Sequence, residues 1–545
     1  MVSSLAVSKP VEYRDMYIGN MKPELVDLIL ATRDTEEVPN LENMIFDFDM
    51  RMVLRSIEEK RSIRSIIKEE ELDYSKYIGK MRKYQTVGTA FMYLSPRSIL
   101  GDAVGVGKTI EVCALINLLK QKNEIKRFLM AVENTAVEQT LAEVMRFTGL
   151  YVVHVPSEAT KMQRMIKKTD WNKVDGIIIK HSTLRSDTLS KWLALNINEQ
   201  GDCRIFDTFI LDESSVIKNK KTKTYIYTKN MCKLARRVHF LNATTFETHI
   251  ADIYNQIDMM NETLMPNISK FEKEYCTFKI GTYWTKVGGV AKMNYKRDLS
   301  GYKQQEKFKK KLRAVYFGRS KKEVGIDIPH VHKVMYVTPT TEQSLALAKG
   351  YRYMEVLNCP SLIDSINIPT SIKTVPKIER LVSLIENEFS GSKVMVYCFH
   401  REAQEVIANE LRKIGRNPSI LSGLTKEEDR WSIQRSFNSN EPGECDVIIT
   451  NAKKSLNLYG GDACIFYSAP TNPSTVTQIA GRVDRNVDKS IKTFVLLLYK
   501  GTDEYNFFLD VVRQRAKDSR DLTIDAKGTV DMFMDSMVEV ETGNG

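Results

Sequence analysis

Gly101-Asp102-Ala103-Val104-Gly105-Val106-Gly107-Lys108-Thr109 is the stretch on which the reading of this chain turns. An apolar run, Ser98-Ile99-Leu100, precedes it, and Ile110 to Leu119 follow in a helical pattern. Strand, glycine-rich turn and helix start therefore coincide. At such a turn the backbone N–H groups and the helix dipole converge on one point and stabilise an anion. Little besides a nucleotide phosphate needs that arrangement. Lys108 is placed to neutralise β- and γ-phosphates and the Thr109 hydroxyl to ligate magnesium, with Gly105, Val106 and Gly107 forming the wall of the loop. Asp102 stands where the strict phosphate-loop pattern has its first glycine. The expectation is a site for ATP with Mg2+.

About a hundred residues on, Phe206 to Leu211 read as an apolar strand that ends in two adjacent acids, Asp212 and Glu213. Side chains alternate along a strand, but where the backbone turns at its end both carboxylates can face the phosphates. Asp212 would hold Mg2+, and Glu213 would polarise the attacking water. Taken alone, the pair reads equally well as an acidic helix cap. Behind a phosphate loop the chemical reading prevails.

The rest of the chain bounds the answer. Its 545 residues suffice for two to four units with cores of their own. No run of about 18 apolar residues is present, so no membrane-spanning helix is expected. Met1 to Arg14 lack a secretory pattern, and the eight cysteines include no C-x-x-C pair, which argues against a structural zinc or a disulfide framework. An intracellular protein is expected, cytoplasmic in a prokaryote or virus and nuclear in a eukaryote. The net charge of +11 favours an anionic partner.

Further motifs follow in a recognisable order. Met81-Arg82-Lys83-Tyr84-Gln85 precedes the phosphate loop; Phe128 to Val132, Gly176 to Leu184, Leu211-Asp212-Glu213 with Val216 to Asn219, and Phe240 to Thr245 come after it. A second set comprises Lys393 to Phe399, Ile420 to Gly423, Asp446 to Thr450 and Gln478-Ile479-Ala480-Gly481-Arg482-Val483-Asp484-Arg485. This order resembles superfamily 2 helicase-like ATPases, most closely the SWI/SNF-type DNA translocase group, over about residues 80 to 515. The resemblance implies an α/β fold of two RecA-like lobes, each a parallel sheet with crossover helices, and a nucleic-acid-stimulated ATPase activity. It implies that Tyr84 and Gln85 recognise adenine and that Arg482 and Arg485 serve as arginine fingers. The two arginines are three apart and share a helix face. Nucleic-acid contact or coupling falls to Lys180, Ser182, Lys218, Thr244, Thr245, Lys453, Lys454, Asn457 and Gln478. Ser215 replaces the histidine common in the group, the usual glycine and proline are missing around Thr244-Thr245, and Lys453-Lys454 stand where small residues are usual.

The organisation expected is a mainly helical N-terminal extension (1–78), lobe 1 with the ATP site (79–262), an inter-lobe insert and linker (263–370), lobe 2 (371–515) and a tail (516–545). βα alternation agrees with the two lobes. Within the insert, Phe278 to Lys296 read as two short strands about Gly288-Gly289, with aromatics and lysines interleaved. Such a hairpin either caps the first lobe or stacks on bases. Lys307 to Arg313 form a basic helical run.

The leading expectation is an ATP-driven translocase on double-stranded DNA, a monomeric motor with no membrane attachment. A strand-separating helicase on DNA or RNA is the alternative, with single-stranded DNA or RNA as candidate partners. An ATP-gated interaction protein, docking through residues 1–78 on a polymerase or other DNA machine, comes third.

Overall fold

The computed structural model describes residues 72–199, 203–243, 250–287, 290–312, 314–321, 324–326, 329–359, 375–439, 441–452, 456, 458–484, 491–513, 533 and 536–537. The N-terminal extension to residue 71 and nearly all of the tail lie outside them. The chain divides into two compact units at Ser320/Lys321.

The first unit is built on a seven-stranded sheet in the order β3-β4-β2-β5-β6-β1-β9. Its strands are β1 (Arg97–Leu100), β2 (Phe128–Val132), β3 (Val152–His154), β4 (Gly176–Lys180), β5 (Thr208–Leu211), β6 (Arg237–Leu241) and β9 (Tyr316–Phe317). Every pairing is parallel. Parallel strands need crossovers, and the crossing helices cover both faces of the sheet, so strands such as Phe128-Leu-Met-Ala-Val132 are apolar throughout. Leu129 and Ala131 enter the core on one face. Phe128, Met130 and Val132 enter the core on the other, against helices α1 (Lys83–Leu94) and α2 (Lys108–Gln121).

The second unit repeats the plan. Strands β10 (His330–Val337), β11 (Val394–Tyr397), β12 (Pro418–Leu421), β13 (Val447–Thr450), β14 (Ala463–Phe466) and β15 (Lys492–Tyr499) lie in the order β10-β15-β14-β11-β13-β12. All are parallel. Helices including α3 (Pro376–Asn387) and α4 (Pro473–Val483) cover its two faces. The α/β fold of two helix-covered parallel sheets is thus the one expected.

The stretch read as insert and linker is shared between the two sheets. β9 adds to β1 in the first sheet and β10 to β15 in the second, so the change of unit falls between them. The hairpin strands are also longer than the sequence suggested: β7 (Cys276–Val287) pairs antiparallel with β8 (Val290–Tyr302) as a two-stranded sheet. Pairing extends to Cys276 because its side chain is buried with Phe271 and Tyr275 in the first core. The basic run forms helix Gln305–Leu312. Phe308 and Leu312 enter the same core, Lys307 pairs with Glu274 at 2.8 Å, and Lys311 Nζ donates to the Leu264 carbonyl at 3.3 Å.

The second unit encloses an ion pair with no exposure at all. Lys377 Nζ donates to Glu504 at 2.8 and 2.9 Å and to Asn358 Oδ1 at 3.2 Å, between the rings of Tyr467 and Tyr499. Burial pulls the Lys377 pKa down, although Glu504 opposes the shift. Glu504→Ala would leave this ammonium uncompensated and is expected to cost about 3–5 kcal/mol in urea denaturation. Replacing both partners by apolar residues, Lys377→Met with Glu504→Leu, should cost far less.

Candidate active site

In a parallel sheet all carboxyl ends lie along one edge, and loops leaving that edge are where ligands bind. The phosphate-loop sequence leaves β1, the acidic pair leaves β5, and Lys180 ends β4. β6 separates β1 from β5 in the sheet.

Between β1 and α2 the backbone takes left-handed conformations at Gly105 (φ 84°) and Gly107 (φ 104°), which favour glycine. Gly107 caps α2. A Cβ there would lie 2.5 Å from Gln85 Nε2, so a side chain at 107 would displace the Gln85 amide from the loop. Lys108 Nζ folds over the loop and donates to the carbonyls of Asp102 at 2.7 Å and Ala103 at 3.4 Å. The ammonium is held where the α2 N-terminus also offers positive potential.

The first turn of α1 is fastened to the same loop. Tyr84 Oη donates to the Val106 carbonyl at 2.8 Å, and Gln85 Nε2 donates to it at 3.3 Å. The buried Gln85 also accepts from the Arg82 N–H at 2.9 Å, closing a capping box on α1. Tyr84, Gln85, Val106, Gly107 and Lys108, distributed between two sequence motifs, therefore form one cluster. Thr109 is in the first turn of α2 beside them.

At the end of β5, Asp212 N–H continues the ladder to Ala131. Glu213 then adopts φ 49°, ψ 54°, unusual outside glycine, and accounts for the sharp turn after the strand. His181 Nε2 lies 2.9 Å from the Asp212 carbonyl, joining the β4 and β5 ends. Ser182, next along, donates to Asn134 Oδ1 at 3.1 Å. The following turn is tied down by residues the sequence did not single out. Ser214 Oγ donates to Gln256 at 2.6 Å, and Asn255 Nδ2 donates to the carbonyls of Ile217 at 3.0 Å and Lys218 at 2.8 Å. Two buried amides side by side in an apolar helix, Asn255-Gln256, were the available signal. Lys218, Lys220, Lys221 and Lys223 are exposed on this segment.

In the second unit α4 is capped by Asn472, whose side chain accepts from the Thr475 N–H at 2.8 Å. Gln478 and Arg482 are buried on it, and Arg482 Nη1 donates to the Leu456 carbonyl at 3.3 Å. Asp484 ends the helix. It accepts from Lys321 Nζ, and its Oδ1 lies 2.9 Å from His330 Nε2. Arg485, Thr244, Thr245, Lys453, Lys454 and Asn457 lie outside the described residues. No group of three or more metal-ligating side chains occurs among the described residues.

Comparison with known proteins gives the family. The SNF2-related domain matches residues 84–367, and the helicase conserved C-terminal domain matches residues 376–487. SWI/SNF-related matrix-associated actin-dependent regulator of chromatin subfamily A-like protein 1 of Xenopus laevis is 26% identical over 495 residues, 86% of this chain and 48% of its own. The chain thus spans about half the length of that relative. The ATP-dependent helicase YqhH of Bacillus subtilis is 22% identical over 423 residues, covering 72% of this chain and 70% of its own. A Sulfolobus solfataricus SWI2/SNF2 ATPase core, solved with dsDNA, aligns with 87% of this chain and 98% of its own at 17% identity, with a TM-score of 0.39.

Burial raises the Asp484 carboxyl pKa, but the His330 hydrogen bond and the Lys321 charge outweigh it and hold the pKa at about 2. A depressed carboxylate stabilises the fold above its unfolded pKa of 3.8 and loses that contribution as pH falls towards 2. Asp484→Asn is expected to cost about 2 kcal/mol at neutral pH. The gap between variant and parent in acid denaturation followed by circular dichroism should close between pH 4 and 2.

Proposed function

The chain belongs to the SNF2-related family, and from that premise we propose that it is an ATP-driven translocase acting on double-stranded DNA. The observation that carries the reading is the phosphate loop itself, with Lys108 lying over it and Tyr84 and Gln85 fastened to its crest. In this reading Lys108 binds the terminal phosphates, Tyr84 and Gln85 sense the nucleotide base, and Glu213 orients and activates the attacking water. Thr109 and Asp212 offer a hydroxyl and a carboxylate, hard oxygen donors of the kind Mg2+ takes, and they would hold it there. Bound there, it would supply positive charge that offsets the charge of the phosphates. Arg482 and Arg485 of the second unit are assigned the part of cations that offset charge in the transition state.

Duplex DNA is favoured as the track by family membership, by the net charge of +11, and by the exposed lysines that follow the acidic motif. Phosphate contacts give affinity without reading sequence. The remaining nucleic-acid residues of this reading are Lys180, Ser182, Lys218, Thr244, Thr245, Lys453, Lys454, Asn457 and Gln478. The reading entails an intracellular protein. A second reading, separation of strands, is favoured by one observation: β7 and β8 form a long ribbon that pairs with neither large sheet.

Steady-state ATPase of the full chain at one fixed salt concentration tests both readings. Duplex DNA is expected to stimulate turnover, and Lys108→Ala to lower it by about 10²-fold or more. Stimulation confined to single strands or RNA would move the reading to a helicase. Turnover indifferent to every nucleic acid would leave an ATP-gated partner switch.

A further inference from the structure

Beneath the phosphate loop lies a group of three charged side chains that the ATP chemistry above does not use. Asp102 and Glu111 have no exposed surface, and Arg319 has 5%. Arg319 follows β9, more than two hundred residues along the chain from Asp102. Its Nε donates to Asp102 Oδ1 at 3.1 Å and its Nη2 to Asp102 Oδ2, a two-pronged clamp on one carboxylate. Nη2 also donates to Glu111 Oε1 at 2.6 Å, and Nη1 donates to the backbone carbonyl of Tyr84. The guanidinium carbon lies 4.8 Å from the Phe317 ring centre and 5.4 Å from that of Tyr84. The Arg319 carbonyl accepts from the Ala103 N–H at 2.9 Å.

Each acceptor belongs to a different part of the nucleotide site. Asp102 opens the phosphate loop, Glu111 is in the first turn of α2 behind Lys108, and Tyr84 is in the first turn of α1. The surroundings are shaped to admit the guanidinium. A Cβ at Gly88 would come within 2.7 Å of both Arg319 Nη2 and Glu111 Oε1, so α1 has room for this group only because residue 88 is glycine. Glu111 Oε2 is buried and has no hydrogen-bond partner among the described residues. Burial, and then the neighbouring Asp102, push the Glu111 carboxyl well above its ordinary range.

We propose that Arg319 is a positioning residue for nucleotide binding: its planar fork ties the start of the phosphate loop, α2 and the base-sensing turn of α1 into one preorganised body. The inference rests on the ATP reading and adds to it a residue beyond its motifs. Lysine cannot replace arginine here, because a single ammonium cannot reach four acceptors spread around a plane. Without the fork, the loop and the α1 turn lose their shared anchor, and nucleotide has to order them on binding. Affinity falls by that amount.

The test is equilibrium binding of a fluorescent ADP with Mg2+ to the full chain, with thermal melting alongside. Arg319→Lys is expected to weaken ADP binding by at least about tenfold. Arg237→Lys supplies the structural control. Arg237 is a buried arginine of the same unit, bonded to the Tyr93 carbonyl and to Glu124, away from the loop. It should lower the melting temperature and leave ADP affinity within about twofold. Gly88→Ala keeps every charge and favours the helix, yet pushes on the fork. It should weaken ADP binding while lowering the melting temperature no more than Arg237→Lys does, and it decides the matter if Arg319→Lys does not fold. A parent chain that fails to bind ADP would sink the ATP reading itself. A parent that binds, with Arg319→Lys or Gly88→Ala binding equally tightly, would overturn the role given to Arg319.

Discussion

Parallel pairing is the constraint from which the rest follows. Once β1, β2, β4, β5 and β6 run the same way, their carboxyl ends share one edge. The loops that carry Lys108, Asp212, Glu213 and Lys180 all leave that edge. The same pairing forces helices onto both faces, which buries the strands twice over and explains their unbroken apolar runs. Position in the sheet, more than local sequence, decides which loops can act together.

Such cores leave few places for charge, and the charges that do occur are tied to fixed partners. Arg127 Nη1 donates to the Ile205 carbonyl at 2.7 Å and its Nε to the Val174 carbonyl at 2.8 Å, holding strand-entry loops together. Arg97 donates to the carbonyls of Cys232 at 3.1 Å and Met259 at 2.9 Å. These guanidiniums satisfy backbone groups at the ends of elements that would otherwise be buried unpaired. The Lys377–Glu504 pair differs, because both members are ionisable and neither meets water. A pair of this kind contributes little net stability while intact, and its cost appears when one partner is removed.

Around the change of unit the same chemistry recurs on either side of one residue. Arg319 is bound inside the first unit by Asp102 and Glu111, and Lys321 inside the second by Asp484. Asp484 lies between Arg482 and Arg485 in the sequence. The crossing segment is thus fastened, in each unit, to a motif assigned to nucleotide chemistry.

The sequence by itself determined the class of fold and the phosphate loop. Glycines at 105 and 107, a lysine, and apolar periodicities of two kinds are local features that need no partner to be read. Adjacent acids ending a strand at Asp212-Glu213 were legible for the same reason. Only the tertiary structure decided what lies beneath the loop. Nothing in the sequence pairs Arg319 with Asp102; the pairing of β9 with β1 brings them together. The need for glycine at 88 comes from Arg319, which occupies the space beside it. Asn255 and Gln256 acquired partners only when their helix packed against the turn after β5. In each case the partners are distant in sequence, and propensity or periodicity carries no information about contacts that chain folding alone creates.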